Sequence, residues 1–251
     1  MLLRHSFVLL SLLTFASCAG GGRIYQADSV RPVRNVAIIG LDVIQPAEFD
    51  LFKPSSGPDS GPMSGMNFAM ATSSPAVRDY ADDLGAALKS MRKWSVVSPT
   101  TVARNEVYMK YFTDTTEGVQ STTPIPKGQT KYRAPDLMEF DGATKIKQAG
   151  RDEIMNALKV DAVVLAQYTV QLSGSTIMGI GSRYPQTSLK FQLFRKGEEK
   201  PVWQDIVAGE DMKESVGKTA ISLDFNKLKA LSLKSAKKAY ADLQSRGVQQ
   251  N

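Results

Sequence analysis

Arg34-Asn35-Val36-Ala37-Ile38-Ile39-Gly40-Leu41-Asp42-Val43 contains the unbroken apolar run Val36-Ala37-Ile38-Ile39. A short apolar run without polar alternation reads as a strand covered on both faces, so this stretch is the buried first strand of a sheet. Working outward, residues 45–74 are rich in Pro, Gly, Ser and Met and lack a helical or strand period, which predicts a long loop. Ser74 followed by Pro75 marks a helix start. From there Val77, Tyr80, Ala81, Leu84, Leu88 and Met91 recur at helical spacing through Arg92. Residues 94–97 read as a short strand, and Thr100 or Thr101 can cap a helix running to Phe112. Residues 113–150 read as loop, 151–159 as a short helix, and 161–172, dense in Val, Leu and Tyr, as a strand. A glycine-rich connection spans 173–184. Then Leu189, Phe191 and Leu193 alternate with Lys190 and Gln192, the pattern of a half-buried strand. The turn Lys196-Gly197-Glu198-Glu199 leads into a returning strand over 202–208, and residues 224–245 form a closing helix. The expected architecture is one α+β or α/β domain over 34–251: a single sheet flanked by helices, with a late β-hairpin and a C-terminal helix.

The N-terminus reads differently. Arg4 and His5 precede a largely apolar run from Phe7 to Phe15, followed by the small residues Ala16 and Ser17 and then Cys18. A basic start, a short apolar run and a small-residue cleavage site describe an export signal. The run falls short of the roughly 20 apolar residues that a membrane-crossing helix needs. Phe15-Ala16-Ser17-Cys18 resembles the lipobox of bacterial lipoproteins. That resemblance implies removal of residues 1–17 and a covalent lipid anchor on Cys18. Residues 18–33 then read as a lipidated tether, with a flexible-coil span of about 20 Å.

Composition narrows the chemistry. Cys18 is the only cysteine and His5 the only histidine, and His5 leaves with the signal. The mature chain therefore excludes Ser-His-Asp and Cys-His catalysis, zinc sites built from His and Cys, and internal disulfides. No catalytic residue, metal ligand or cofactor is assigned. The full chain carries a formal net charge of +6. A mildly basic exported protein fits an acidic protein surface, an anionic lipid or a wall polymer as partner, and its location argues against nucleic acid.

Four further segments carry a second resemblance. They are Arg34 to Ile39, Leu88-Lys89-Ser90-Met91-Arg92-Lys93-Trp94-Ser95-Val96-Val97, Ala157-Leu158-Lys159-Val160-Asp161-Ala162-Val163-Val164-Leu165-Ala166, and Leu189 to Trp203. In order and character they resemble the superfamily of the curli secretion lipoprotein and the lipoprotein activators of penicillin-binding proteins. The resemblance implies a sheet flanked by helices and a non-enzymatic role in envelope assembly or regulation. A curli-type pore needs membrane-crossing strands of about 9 to 11 residues. Residues 173–186 are too short for two such strands, and 113–150 lacks sustained alternation. The short tether also separates this chain from activators that reach across the envelope.

Few other residues invite a site. Gly217-Lys218-Thr219 lacks the first glycine of a phosphate loop, since Met212 stands at that position. Gly179-Ile180-Gly181 lacks the third glycine of a dinucleotide turn, since Tyr184 occupies it. Asp79, Asp82 and Asp83 read as a solvated helix face. Met63, Met66, Phe68 and Met70 form a soft apolar cluster suited to an adaptable binding surface, or to a loop folded over the sheet. Lys227, Lys234 and Lys238 form a stripe on the last helix that would suit anionic headgroups or wall polymers, or a solvated flank. The expected protein is a membrane-anchored, non-enzymatic binding or assembly accessory. It would be held by lipid on Cys18 at the periplasmic face of the outer membrane, partnered with another envelope protein or an anionic wall or lipid component. The alternative is an oligomeric secretion component of the curli secretion type.

Overall fold

The computed structural model describes residues 22–47, 72–117, 125, 128–173, 184–210, 212, 214 and 225–248. Its strands are β1 (Ile24–Tyr25), β2 (Asn35–Pro46), β3 (Thr72–Ser73), β4 (Ser95–Val97), β5 (Gln129–Arg133), β6 (Ala162–Ser173), β7 (Tyr184–Arg195) and β8 (Trp203–Ala208). Its helices are α1 (Ala27–Val30), α2 (Arg78–Arg92), α3 (Pro99–Ala103), α4 (Glu106–Glu117), α5 (Phe140–Thr144), α6 (Gln148–Leu158) and α7 (Phe225–Val248).

The apolar run of β2 places it at the centre. Every residue from Val36 to Val43 is buried. One edge of β2 pairs in parallel with β6, from Val36↔Ala162 to Ile44↔Thr169. The other edge is shared: β4 runs parallel to its start and β5 antiparallel to its end. The whole sheet has eight strands in the order β1-β8-β7-β6-β2-β5-β3, with β4 on β2. The protein is thus a mixed α+β fold, and β6, β7 and β8 form a late antiparallel meander.

Strand alternation separates the two faces. On one, Tyr168 of β6 packs on Tyr80 of α2 with ring centroids 4.9 Å apart, and its hydroxyl lies 2.7 Å from that of Tyr240 on α7. Leu189, Phe191 and Leu193 of β7 are buried in the expected alternation, and Phe191 meets Trp203 at 5.0 Å. On the other face, α5 packs on β6, and the Arg151 guanidinium of α6 sits 4.2 Å from the Phe194 ring. A bulge at Ile39 shifts the β2–β6 register between Ile38 and Gly40. A Cβ at Gly40 would come within 2.8 Å of the Ala143 Cβ and 3.1 Å of Leu165, so glycine lets α5 approach the bulge. The Tyr108 hydroxyl donates to the Ile39 carbonyl and accepts from the Met138 amide, reinforcing the direct bond from that amide to that carbonyl.

Several expectations need correction. Residues 22–33 are part of the fold, not a tether. β1 pairs with β8, the Gln26 amide donates to the Val202 carbonyl, and Val30 and Val33 are buried. The gain is an edge: β1 covers part of β8 that would otherwise expose unpaired backbone groups. Residues 45 and 46 end β2, and 72–73 form β3, so the expected loop is shorter than 45–74; residues 48–71 lie outside the described residues. Ser74 makes no side-chain cap, and a 3-10 turn at Pro75–Val77 precedes α2. The expected second helix is two, α3 and α4. Ser98 rather than Thr100 or Thr101 caps the first, and Asn105 accepts from the Tyr108 amide at the start of the second. The stretch 113–150 contains β5 and α5 rather than loop alone.

α7 is docked by polar as well as apolar groups. The Ser235 hydroxyl accepts from the Thr187 amide and donates to the Glu210 carbonyl, while the Thr187 hydroxyl donates to the Ser232 carbonyl. Gly209 makes this approach possible, because a Cβ there would overlap the Ser235 carbonyl oxygen. Replacing Gly209 with Ala is expected to lower stability by about 1–3 kcal/mol, read as an earlier urea midpoint with the sheet's far-UV signature retained below it.

Candidate functional site

Of the residues singled out from sequence, Cys18, Met63, Met66, Phe68 and Met70 lie outside the described residues, as do the glycine motifs at 179–181 and 217–219. Lys227, Lys234 and Lys238 are visible on α7, and each has a carboxylate nearby. Lys227 and Lys234 lie 4.0 and 3.7 Å from Glu214, and Lys238 lies 3.8 Å from Glu210. Two carboxylates thus face three lysines, Glu214 being shared by Lys227 and Lys234. The aspartates of α2 depart from a purely solvated face in the same way: Asp79 pairs with Lys229 at 2.5 Å and Asp83 with Lys237 at 3.4 Å. Such exposed pairs contribute little individually, but they orient α7 along α2.

A different set of charges converges inside the sheet. β5 carries Lys131, whose side chain is 2% exposed. Its Nζ lies 2.7 Å from Asp141 on α5, 3.7 Å from Asp42 on β2 and 3.7 Å from Glu139, which precedes α5. Asp42 is fully buried; one oxygen accepts from the Phe140 amide at 2.9 Å, and Gln167, opposite it in the β2–β6 register, hydrogen-bonds to the carboxyl as well. The β2–β5 register places Lys131 opposite Ile44 and Asp42 opposite Arg133, so a diagonal across the two strands brings acid and amine together.

Burial pushes the Asp42 carboxyl up to about 6 from its ordinary 3.8, although Lys131 and the Phe140 amide pull it back down. Burial also disfavours the Lys131 ammonium, but Asp42, Asp141 and Glu139 outweigh it and hold the amine above its ordinary value. A lysine held protonated is no nucleophile at neutral pH. The arrangement binds a cation between three acids and leaves Asp42 able to exchange a proton near neutrality. It links β2, β5 and the approach to α5 in one electrostatic knot. None of these four residues was singled out from sequence. The available signal was Asp42 itself, a carboxylate within a stretch of positions that are otherwise apolar or glycine.

The fold places this chain among mixed α+β proteins built on a single sheet with helices on both faces. No protein-family model matches the chain, and no curated protein matches it in sequence. Similar solved structures include lipoprotein GNA1162 from Neisseria meningitidis, with 12% identity and a TM-score of 0.37, covering 72% of this chain and 86% of that one. The LpoB C-terminal domain from Salmonella enterica shows 8% identity and a TM-score of 0.30, covering 70% and 81%. Hypothetical protein CT253 from Chlamydia trachomatis shows 11% identity and a TM-score of 0.32, covering 83% and 99%. Likeness at this level defines no family.

The charge knot predicts a pH dependence. Folding raises the proton affinity of Asp42, so its contribution to stability is complete below 3.8 and is lost as pH rises through about 6. Asp42→Asn removes that dependence. Urea melts at acid and neutral pH should show the variant gaining about 2–3 kcal/mol on the wild type across the interval. Lys131→Met leaves buried carboxylates without their cation and should cost about 3–5 kcal/mol at neutral pH in the same measurement.

Proposed function

We propose that this protein is a lipid-anchored component of a bacterial envelope, acylated on Cys18 and acting as a non-enzymatic binding or assembly accessory. The observation that carries the reading is the position of the sole cysteine. Cys18 follows two small residues at the end of an apolar export run, and the first strand begins at Ile24. An unpaired thiol in that place has a chemical reason if it receives the lipid. Among the described residues no helix is long and apolar enough to cross a membrane, so attachment through acyl chains supplies the membrane association. Several chains at about 0.8 kcal/mol per buried methylene exceed what stable anchoring needs. Ala19 follows the cysteine where many inner-membrane lipoproteins carry aspartate, which favours the periplasmic face of the outer membrane in a two-membrane cell. The partner is another envelope protein or an anionic lipid or wall component.

Cys18→Ser tests the anchor. The wild type is expected in the membrane fraction, with a mature N-terminus whose mass includes the acyl chains. The variant should lose the acyl mass and, with it, membrane retention through a high-salt wash; a variant that keeps both would sink the reading.

A further inference from the structure

The N-terminal segment that joins the fold also builds a cationic pocket. Tyr25, Val30, Arg31, Arg34, Arg92 and Trp94 line a cavity of about 210 Å³, ample space when one water needs about 10–15 Å³. It lies where β1 and α1 meet the last residue of α2 and the entry to β2. Two guanidinium groups, Arg31 and Arg34, therefore come from the turn between α1 and β2, and the third, Arg92, from the end of α2.

Each is held differently. Arg92 is clamped by its Nη2, which donates to the Tyr25 hydroxyl at 2.8 Å and the Gly247 carbonyl at 2.9 Å. Its guanidinium also lies 5.7 Å from the Tyr25 ring and 5.1 Å from that of Trp203. Its buried Nε has no hydrogen-bond partner among the described residues. Arg34 is steered by the carbonyls of Arg31 and Val33, at 2.6 and 2.8 Å, which orient it without cancelling its charge. Arg31 lies 3.6 Å from Asp28, with both side chains mostly exposed. The other nearby acid, Asp161, is turned to the backbone amides of Arg34 and Asn35 at 2.8 Å each. The pocket thus keeps an excess of positive charge, with three arginines lining it against Asp28 and Asp161.

We propose that this pocket binds the phosphate of an anionic phospholipid headgroup in the membrane to which the protein is anchored. Guanidinium forks match phosphate oxygens geometrically, and Tyr25 adds an amphipathic wall of the kind favoured at membrane interfaces. The inference rests on the Cys18 anchor for its location. Tyr25 is seven residues beyond Cys18, so the pocket wall lies at most about 25 Å from the lipidated residue. Headgroup phosphate is the anion most concentrated there. Each arginine at such a surface raises binding about fivefold.

The test uses the chain from position 18 with Cys18→Ser, which contains every described element and lacks both signal and lipid. Cosedimentation is measured with vesicles of phosphatidylglycerol mixed one to three with phosphatidylcholine, and with phosphatidylcholine alone. Binding is expected only to the anionic vesicles, weakening as salt rises. Arg31→Gln with Arg34→Gln should reduce it by about 20-fold or more at an unchanged urea midpoint, whereas Lys234→Gln with Lys238→Gln should leave it within twofold. Equal binding to both vesicles, or an unaffected arginine variant, overturns the proposal. Tight binding of inorganic phosphate in calorimetry without preference for anionic vesicles also overturns it, assigning the pocket to a free anion. The acyl mass of the wild type is read separately. An acylated protein with no headgroup preference refutes the pocket alone, and an unacylated one with that preference refutes the anchor alone.

Discussion

β2 has no free side. Its two edges are taken by β6 on one hand and by β4 and β5 on the other, and its side chains from Val36 to Val43 are closed to solvent. A strand in that position must satisfy every backbone group through neighbours, because water cannot reach those that are missed. The remaining architecture follows from this demand. The parallel partners require crossovers, which supply α2 and α6. At the bulge the Ile39 carbonyl accepts from the Met138 amide and from the Tyr108 hydroxyl of α4. The division of the second edge between β4 and β5 leaves room for a charged pairing where two chain directions meet.

That charged pairing shows how differently ions behave at different depths. Lys131 and its three acids are enclosed, so breaking one contact strands the others in a medium that solvates charge poorly. The pairs joining α7 to α2 and to residues 210 and 214 are exposed, and water can replace either partner. The first set locks strand positions; the second sets helix orientation at little energetic cost. Buried Tyr80, Tyr168 and Tyr240 belong with the first kind: burial pushes their phenols above the ordinary value, so they pack as neutral hydrogen-bonding groups between helices and sheet.

Legibility in the sequence tracked apolar content. β2, β6 and β7 announce themselves because their buried positions are Val, Ile, Leu and Phe in runs or alternation. β5 does not: Gln129-Thr130-Lys131-Tyr132-Arg133 looks like solvated loop, and its lysine is paired with Glu139 and Asp141 a few residues on and with Asp42 far back in the chain. β1 and α1 escaped for a related reason. Only Ile24, Tyr25, Val30 and Val33 mark them, scattered among charges, glycine and proline, and their stability comes from covering β8. The lysines of α7 could be read as a stripe from helical spacing, but their carboxylate partners reside in α2 and near residues 210 and 214. The arginine pocket is assembled from two segments, 25–34 and 92–94, that only tertiary folding brings together. Local pattern reports what a residue does to its neighbours in sequence, and charge pairing across the fold is silent at that level.

The pairing of β1 with β8 also decides how the molecule answers to pulling. Tension entering from the N-terminal side reaches the sheet at Ile24, the first residue of β1. It meets a two-residue strand, the Gln26–Val202 hydrogen bond and the Arg23–Asp205 ion pair at 3.3 Å. Drawn along the strand axis, these contacts share the strain in shear and yield together; drawn sideways, they open one after another like a zip. The direction of the tug thus sets whether the N-terminal edge behaves as a rivet or as a peel-away tab, while the long β2–β6 and β6–β7 ladders behind it stay intact.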